Sequence, residues 1–346
     1  MNSRRRVFAA MFAVCAITTL LLIACGPTLE RPSSITGVRI LGVRKSAPYA
    51  HPGETVHLQM LWEDGRRELP EKVETFFGFW CVNPPGNSYA QCLVTEPSVE
   101  PKFEFGVTEF DVTIPEDSLL DSDVPDARPS GSAFVFYGVC AGEFHVPDLE
   151  GEGLEPEDLV PQCLDENGEQ VDADDFVIGY SQIFIYDEFR NKNPILHGLK
   201  HGDEELVVDC IDAECDEPYE VPDLAGCDEG VLCLEACEDD DASPFNCPHT
   251  SIEAIVKEES VEDDDVAADF GTEQEESIWV HYFVDRGAIG SELKLINDAV
   301  AGFQDDFSTT VYSPEEPGPV RVWVVVRDNR GGAAWLRAPG FVKPRE

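Results

Sequence analysis

The 346-residue sequence carries 69 acidic against 24 basic residues, a formal charge of −45 at pH 7. A field of that sign argues against nucleic acid as a partner and against electrostatic docking on anionic lipid. An acidic chain invites a reading of disorder, but 20 Phe, 8 Tyr, 5 Trp and a hydrophobic fraction of 42% supply real cores, and the length suits two domains better than one.

At the start, Arg4, Arg5 and Arg6 precede an uncharged run over 7–24 that breaks at Cys25-Gly26-Pro27. A basic patch, an apolar stretch and a small residue at its end form the layout of a secretory signal, whose basic end stays in the cytoplasm. The closing Leu22-Ile23-Ala24-Cys25 resembles a bacterial lipobox. That resemblance implies that residues 1–24 are a lipoprotein signal peptide. It also implies that the Cys25 thiol takes diacylglycerol, that the new amino terminus is acylated, and that 25–33 form a lipidated linker. The run is also just long enough for an uncleaved span, about 20 residues being usual, although a plain anchor has no need of the cysteine. Several acyl chains, at about 0.8 kcal/mol per buried methylene, tether a protein without spanning. Residue 26 is Gly, not the aspartate that favours inner-membrane retention in enterobacterial lipoproteins, which implies the outer membrane of a Gram-negative envelope.

From residue 34 the pattern is strand after strand. Val56, Leu58, Met60 and Trp62 share one face; Phe103, Phe105 and Val107 alternate with Glu104 and Gly106; Phe110, Val112 and Ile114 alternate with Asp111 and Thr113. This period of two is that of a half-buried strand. The runs 76–82 and 133–141 are apolar on both faces and suit central strands, and 176–186 closes the set after an acidic loop over 147–175. Pro-Gly before Glu54, Pro84-Pro85-Gly86 and Pro129-Ser-Gly131 punctuate the series. No stretch keeps helical periodicity beyond two turns, so an all-β chain is expected, with residues 34–190 forming a first antiparallel sandwich.

Asn191-Lys-Asn-Pro194 reads as the hinge to a second sandwich over 191–346. Its strands begin at Ile195 and continue over 250–256, 278–284, 293–296 and 307–312. Val320, Val322, Val324 and Val326 face one way, a turn follows at Asp328-Asn329-Arg330-Gly331-Gly332, and 333–336 return. Asn and Gly supply the positive φ of such turns. The expected fold class is therefore two antiparallel β-sandwiches of the immunoglobulin or fibronectin type III kind, the second carrying a cystine-rich insert over 209–248.

Of twelve cysteines, Cys15 leaves with the signal and Cys25 takes the lipid. An even set remains, which in an exported chain reads as disulfides. Local pairing is the most economical: Cys81 with Cys92, and Cys140 with Cys163. The last six, Cys210, Cys215, Cys227, Cys233, Cys237 and Cys247, suggest a three-bridge unit with fifteen connectivities open. Acidic loops with few apolar residues would not hold together there without bridges. The spacing of Cys233 and Cys237 is one zinc can use, but paired Cys-x-x-Cys knuckles are missing.

The stretches Val38-Arg-Ile-Leu-Gly-Val-Arg44 and His51-Pro-Gly-Glu-Thr-Val56 resemble the opening of immunoglobulin-like surface lipoproteins of myxobacteria and their relatives. Asn191-Lys-Asn-Pro194, residues 322–332 and Trp335 resemble the second domain of that family. The resemblance implies fold and address, not activity. No cysteine lies in 56–62, where an antibody-type inter-sheet bridge needs its first partner, so Trp80 beside Cys81 is expected as ordinary core.

The sequence contains no Gly-x-Ser-x-Gly elbow, His-Glu-x-x-His, phosphate-binding loop or dinucleotide fingerprint. His197 and His201 are four apart, but Gly198 and Pro194 disfavour the helix zinc would need. His281, alternating with Val280 and Tyr282, is expected on a solvated face. Calcium is the cofactor the acids would suit, at Asp209, Asp212, Glu214 and Asp216 or at 239–241 and 263–265; solvated acidic loops are the alternative, since no Asp-x-Asp-x-Asp-Gly turn is present. The expected function is a non-enzymatic binding, adhesion or scaffolding module. The membrane is reached through its lipid, the partner is an envelope protein or glycan, and the contact surface lies on loops at the sandwich ends and on the insert. The alternative is a lipid-anchored hydrolase acting on polysaccharide or peptidoglycan through carboxylates that the sequence does not single out.

Overall fold

The first series of strands is β1 (Val38–Lys45), β2 (Tyr49–Ala50), β3 (Thr55–Asp64), β4 (Glu74–Val82), β5 (Lys102–Phe105), β6 (Glu109–Thr113), β7 (Ser130–Cys140), β8 (Glu143–His145), β9 (Gln162–Leu164) and β10 (Phe176–Tyr186). They come from a computed structural model that describes residues 31–66, 72–121, 128–145, 161–208, 226–238, 244–269 and 271–345. One sheet has the order β1-β3-β6 and the other β2-β10-β7-β4-β5, while β8 and β9 pair as a separate hairpin. The alternation along β3 and β6 sends Val56, Leu58, Met60, Phe110 and Val112 inward against Phe77, Val135, Val139, Ile183 and Ile185 of the facing sheet. Phe77 stacks on Phe110 with ring centroids 5.3 Å apart. Pairing is antiparallel except for β2, which joins β10 in parallel.

The second series is β11 (Leu196–His201), β12 (Glu204–Glu205), β13 (Leu232–Glu235), β14 (His249–Val256), β15 (Ile278–Val284), β16 (Ala288–Ile289), β17 (Leu293–Asp298), β18 (Gly302–Phe303), β19 (Thr309–Tyr312), β20 (Gly318–Asp328) and β21 (Ala333–Lys343). The sheets are β12-β11-β14-β19-β16 and β13-β21-β20-β15-β17-β18. Alternate residues of β15 and β20, from Ile278 to Val284 and Val320 to Val326, meet Ile252, Ala254 and Val311 in one core. Tyr282 belongs there because its hydroxyl is satisfied, donating to the Phe307 carbonyl at 2.8 Å and accepting the Ala254 N–H at 3.1 Å. Among the described residues the one α-helix is α1 (Asp265–Asp269). No helix among them is long and apolar enough to cross a membrane.

The fold is thus all-β, two antiparallel sandwiches with a disulfide-rich insertion in the second. The insertion departs from the loop-only reading in one respect. Residues of β13, inside it, pair in parallel with β21, and Leu232, Leu234 and Ala236 enter the main core. That part of the insert is held by burial as well as by its bridges.

The two sandwiches form one compact unit, Ser33–Glu346, because a further core lies between them. Ile35, Leu41 and Leu61 pack against Trp323, Val325 and Trp335. Leu41 reaches this seam through a β-bulge: Ile40 pairs with Trp62 and Gly42 with Leu61, leaving Leu41 as the extra residue, turned outward. Gly42 gives the Trp335 ring room, since a Cβ there would lie 3.3 Å from it. Glu63 accepts the Trp323 indole N–H at 3.0 Å, and Arg321 and Arg337 lie within 3.7 Å of its carboxylate. Burial raises its pKa and the two guanidinium groups oppose that rise.

The segment expected as a hinge is fastened on both sides. The Asn193 amide donates to the Lys45 carbonyl at 2.8 Å and accepts from the Ala333 N–H at 2.9 Å, while Asn191 donates to Asp328 at 3.2 Å. Near the chain start, Ile35 N–H donates to the Val284 carbonyl and Val284 N–H to the Ser33 carbonyl, both at 2.9 Å, so residues 33–35 belong to the second sandwich as much as to the first.

His281 corrects an expectation. It lies half-buried at the seam, its Nδ1 2.6 Å from Arg327, whose other amino group donates to the Leu41 carbonyl. Burial first, then the Arg327 charge, lowers its pKa from 6.5 to about 4. The unfolded chain takes a proton that the fold refuses. This contribution to stability is therefore complete above pH 6.5 and lost as pH falls toward 4. We expect the melting temperature to fall across that window and His281→Asn to flatten the fall; an equally steep variant would exclude His281 as its source.

Candidate binding groove

The outer face of the sheet β2-β10-β7-β4-β5 carries a second apolar layer. Phe76 and Trp80 of β4, Phe134 and Cys140 of β7, and Phe144 of β8 are all buried there. Glycine makes the layer possible. In the pairing of β4 with β7, Phe76 lies opposite Gly138 and Gly78 opposite Phe136, so each ring faces a position with no side chain of its own. A Cβ on Gly78 would come within 2.7 Å of both the Phe76 and Trp80 rings. A bulge at Trp80 shifts the register between Phe79 and Cys81 and puts the adjacent Trp80 and Cys81 on the same face.

Two disulfide-closed segments cover this layer. Cys81 is bonded to Cys92 and Cys140 to Cys163. The first cover turns at Asn83 and Asn87, both with φ of 51°, a conformation asparagine tolerates better than most residues. It then runs through a short 3-10 turn, Tyr89–Leu93. The Trp80 indole donates to the Cys92 carbonyl at 2.9 Å, and its ring stacks on Phe136 at 4.3 Å. The second cover is the β8–β9 hairpin, pinned by Cys163. Loss of the first bridge, as Cys81→Ala with Cys92→Ala, is expected to lower stability by about 2–4 kcal/mol, read as a shift in the denaturant midpoint.

Between the covers a groove of 300 Å³ stays open. Phe76, Trp80 and Phe136 line its floor, Tyr89 and Leu93 one wall, and Ile178 and Tyr180 the other, with Pro161 at the hairpin side. Tyr89 and Tyr180 stack at 4.0 Å and are each 41% exposed; Ile178 is 48% exposed. Among the described residues the lining offers aromatic faces and phenolic hydroxyls, with no carboxylate, amine or imidazole. Such a surface can hold apolar or aromatic groups through dispersion and the negative faces of the rings.

None of these lining residues stands out by motif. The signal was the two-faced apolar character of 76–82 and 133–141, joined by Phe176, Ile178 and Tyr180 along β10. Trp80 is buried, but in this outer layer and not in the core between the sheets.

The other residues singled out by sequence fall elsewhere. Cys227 is bonded to Cys233 and Cys237 to Cys247. Cys25, Cys210, Cys215, Asp209, Asp212, Glu214, Asp216 and residues 239–241 lie outside the described residues. Among the described residues no group of three or more His, Cys, Asp or Glu is placed to hold a metal ion. At 263–265, Asp264 caps α1, accepting the Ala267 N–H at 3.0 Å, and the Asp263 carbonyl accepts from Arg330 at 3.1 Å. His201 lies on β11, its Nδ1 2.9 Å from the Thr250 hydroxyl, and His197 is on the same strand.

No family model matches this chain, and no curated protein matches it. Among solved structures, dimeric latent PorU from Porphyromonas gingivalis aligns over 93% of this chain at 9% identity and a TM-score of 0.18. The chain spans 25% of that protein's length. The FN1–FN3 domains of chicken CNTN1 align over 91% of this chain and 70% of their own, at 9% identity and a TM-score of 0.20. Likeness at that level says nothing about function.

Proposed function

We propose that this chain is a lipid-anchored, non-enzymatic binding module of a Gram-negative cell envelope, tethered to the outer membrane through an acylated Cys25. The groove carries the reading: a preformed surface of aromatic and aliphatic side chains with phenolic hydroxyls, held on a sheet beside two disulfide-bonded segments. The basic start, the apolar run and the lipobox-like Leu22-Ile23-Ala24-Cys25 support the address. The four disulfides among the described residues are compatible with an extracytoplasmic location. The likeness of several strands to immunoglobulin-like surface lipoproteins of myxobacteria is in keeping with both.

Two measurements test the reading. Intact mass of the membrane-derived protein should show cleavage before Cys25 and added acyl chains, and Cys25→Ser should leave the membrane fraction. An unacylated precursor would overturn the address. Glycan and peptide arrays, run beside a panel of polysaccharide and peptidoglycan substrates, should show retention without turnover. Retention should fall on Tyr89→Ala with Tyr180→Ala. Turnover that survives that pair would replace binding with hydrolysis.

A further inference from the structure

We propose that the outer face of β15 and β17 in the second sandwich rests on the lipid surface to which the chain is anchored, with Trp279, Phe283, Leu293 and Leu295 at the contact. The inference rests on the lipid-anchor reading and says which side of the body faces the membrane.

Alternation along β15 sends Ile278, Val280, Tyr282 and Val284 into the core, so Trp279, His281 and Phe283 point to the opposite face. On β17, Leu295 pairs with Trp279 and Leu293 with His281, and side chains of such partners share a face. Lys294 pairs with Val280 and so lies on the other side. The Arg327 guanidinium, from neighbouring β20, is turned to His281 and the Leu41 carbonyl. Phe283 packs against the seam core, which makes the strip a continuation of the surface that the first sandwich covers on β20. Beyond that cover, Leu293 is 50% exposed and Leu295 41%. Both strands and the loop between them lie wholly within the described residues.

The start of the body selects the occupant. The N–H groups of Tyr282 and Val284 leave β15 on the same side, the first to the Glu292 carbonyl and the second to that of Ser33. Residues 33–35 therefore sit on the edge of β15 that β17 takes further along, next to the Leu293 end of the strip. Cys25 stands eight residues before Ser33. A chain gains at most about 3.6 Å per residue, so the acyl chains join within about 30 Å of Ser33. A tether that short holds the body at the bilayer, where a few apolar side chains, too weak to bind a membrane alone, suffice to orient it. The formal charge of −45 opposes both a second copy on this face and an anionic lipid surface. A zwitterionic lipid surface meets neither objection.

The test uses the membrane-derived protein, whose intact mass reports acylation, reconstituted in phosphatidylcholine vesicles with and without brominated acyl chains. Bromine quenches indoles that reach the lipid. Trp80, Trp323 and Trp335 are buried, so Trp279 is the reporter, and Trp279→Phe supplies the blank for the remaining tryptophans. Brominated lipid should cut the Trp279 emission at least about twofold. Leu293→Ser with Leu295→Ser should abolish most of that quenching, and Leu293→Met with Leu295→Met should retain it. Replacing about a third of the lipid with phosphatidylglycerol should weaken it. Both leucines are part exposed, so unchanged melting curves separate lost docking from lost folding. Acylated protein whose Trp279 stays unquenched, or whose quenching ignores the leucines, would overturn the proposal and leave the anchor standing. An unacylated precursor would remove both. A dimer in detergent that the serine pair dissociates, with no quenching on vesicles, would assign the face to a second copy instead.

Discussion

Truncation of Trp323 to alanine is expected to cost about 3–5 kcal/mol and to divide the unfolding of the body into two transitions. Trp323 is fully buried on β20, yet its neighbours include Leu41 and Leu61 of the first sandwich, and its indole N–H donates to Glu63. Removing the ring opens a cavity at the seam and leaves a buried carboxylate one donor short. Neither sandwich core is touched, because Val322 and Val324 point the other way. Leu58→Ala, a change confined to the first core, is the control: it should cost about 2–5 kcal/mol and destabilise the first sandwich without uncoupling it. Calorimetry and near-ultraviolet circular dichroism distinguish these outcomes. A single shifted transition for Trp323→Ala would mean that the polar ties at Asn191, Asn193 and Arg327 couple the sandwiches without the tryptophan.

Arg330→Met is expected to be the most damaging substitution at the β20–β21 turn. The Arg330 guanidinium donates to Glu276 at 2.6 and 3.0 Å and to Glu262 at 3.0 Å. Arg330 is 3% exposed and Glu276 1%. A buried pair gives little net stability, but breaking it leaves one charge without a partner, at a cost of about 3–5 kcal/mol. Burial raises the Glu276 carboxyl to about 7 and Arg330 opposes that rise. Because the folded value lies above the unfolded 4.5, the Glu276 contribution to stability is complete below pH 4.5 and lost as pH rises through 7. Without the arginine the carboxyl rises further. The loss should therefore be largest at about pH 8, where the native carboxylate is ionised and paired, and smallest at about pH 5, where it is protonated in both proteins. Arg330→Met with Glu276→Gln should recover most of the loss at about pH 8. Urea titrations at the two pH values read both effects; a pH-independent loss would show that packing, not charge, gives Arg330 its weight.

The strands were legible because a period of two is local: Val56, Leu58 and Met60, or Val320 through Val326, declare a buried face without reference to any partner. So was the turn at 328–332, where asparagine and glycine meet the backbone's demand, and so were the close cysteine pairs Cys81 with Cys92 and Cys140 with Cys163. Less legible was what covers a face that is apolar on both sides. Trp323 and Val325 alternate with the core valines, and Phe76, Trp80 and Phe136 alternate with Phe77, Phe79 and Val135. In each case the sequence shows two apolar faces and is silent on which neighbour closes the second. For β20 it is the other sandwich, reached through the bulge at Leu41; for β4 and β7 it is the turn at Tyr89–Leu93 and the paired strands β8 and β9, each fixed by a disulfide.

His281 and the insert show the same division. Alternation alone put the histidine in water; at the seam, beside an Arg327 that also donates to the Leu41 carbonyl, it is half-buried instead. Composition alone left the insert as loop, and only the free edge of β21 turned 232–235 into a strand. A single chain position determines its own propensity and the direction of its side chain. Whether that side chain meets solvent, a partner sheet or an open groove depends on residues hundreds of positions away, whose approach is decided by the burial of whole faces together.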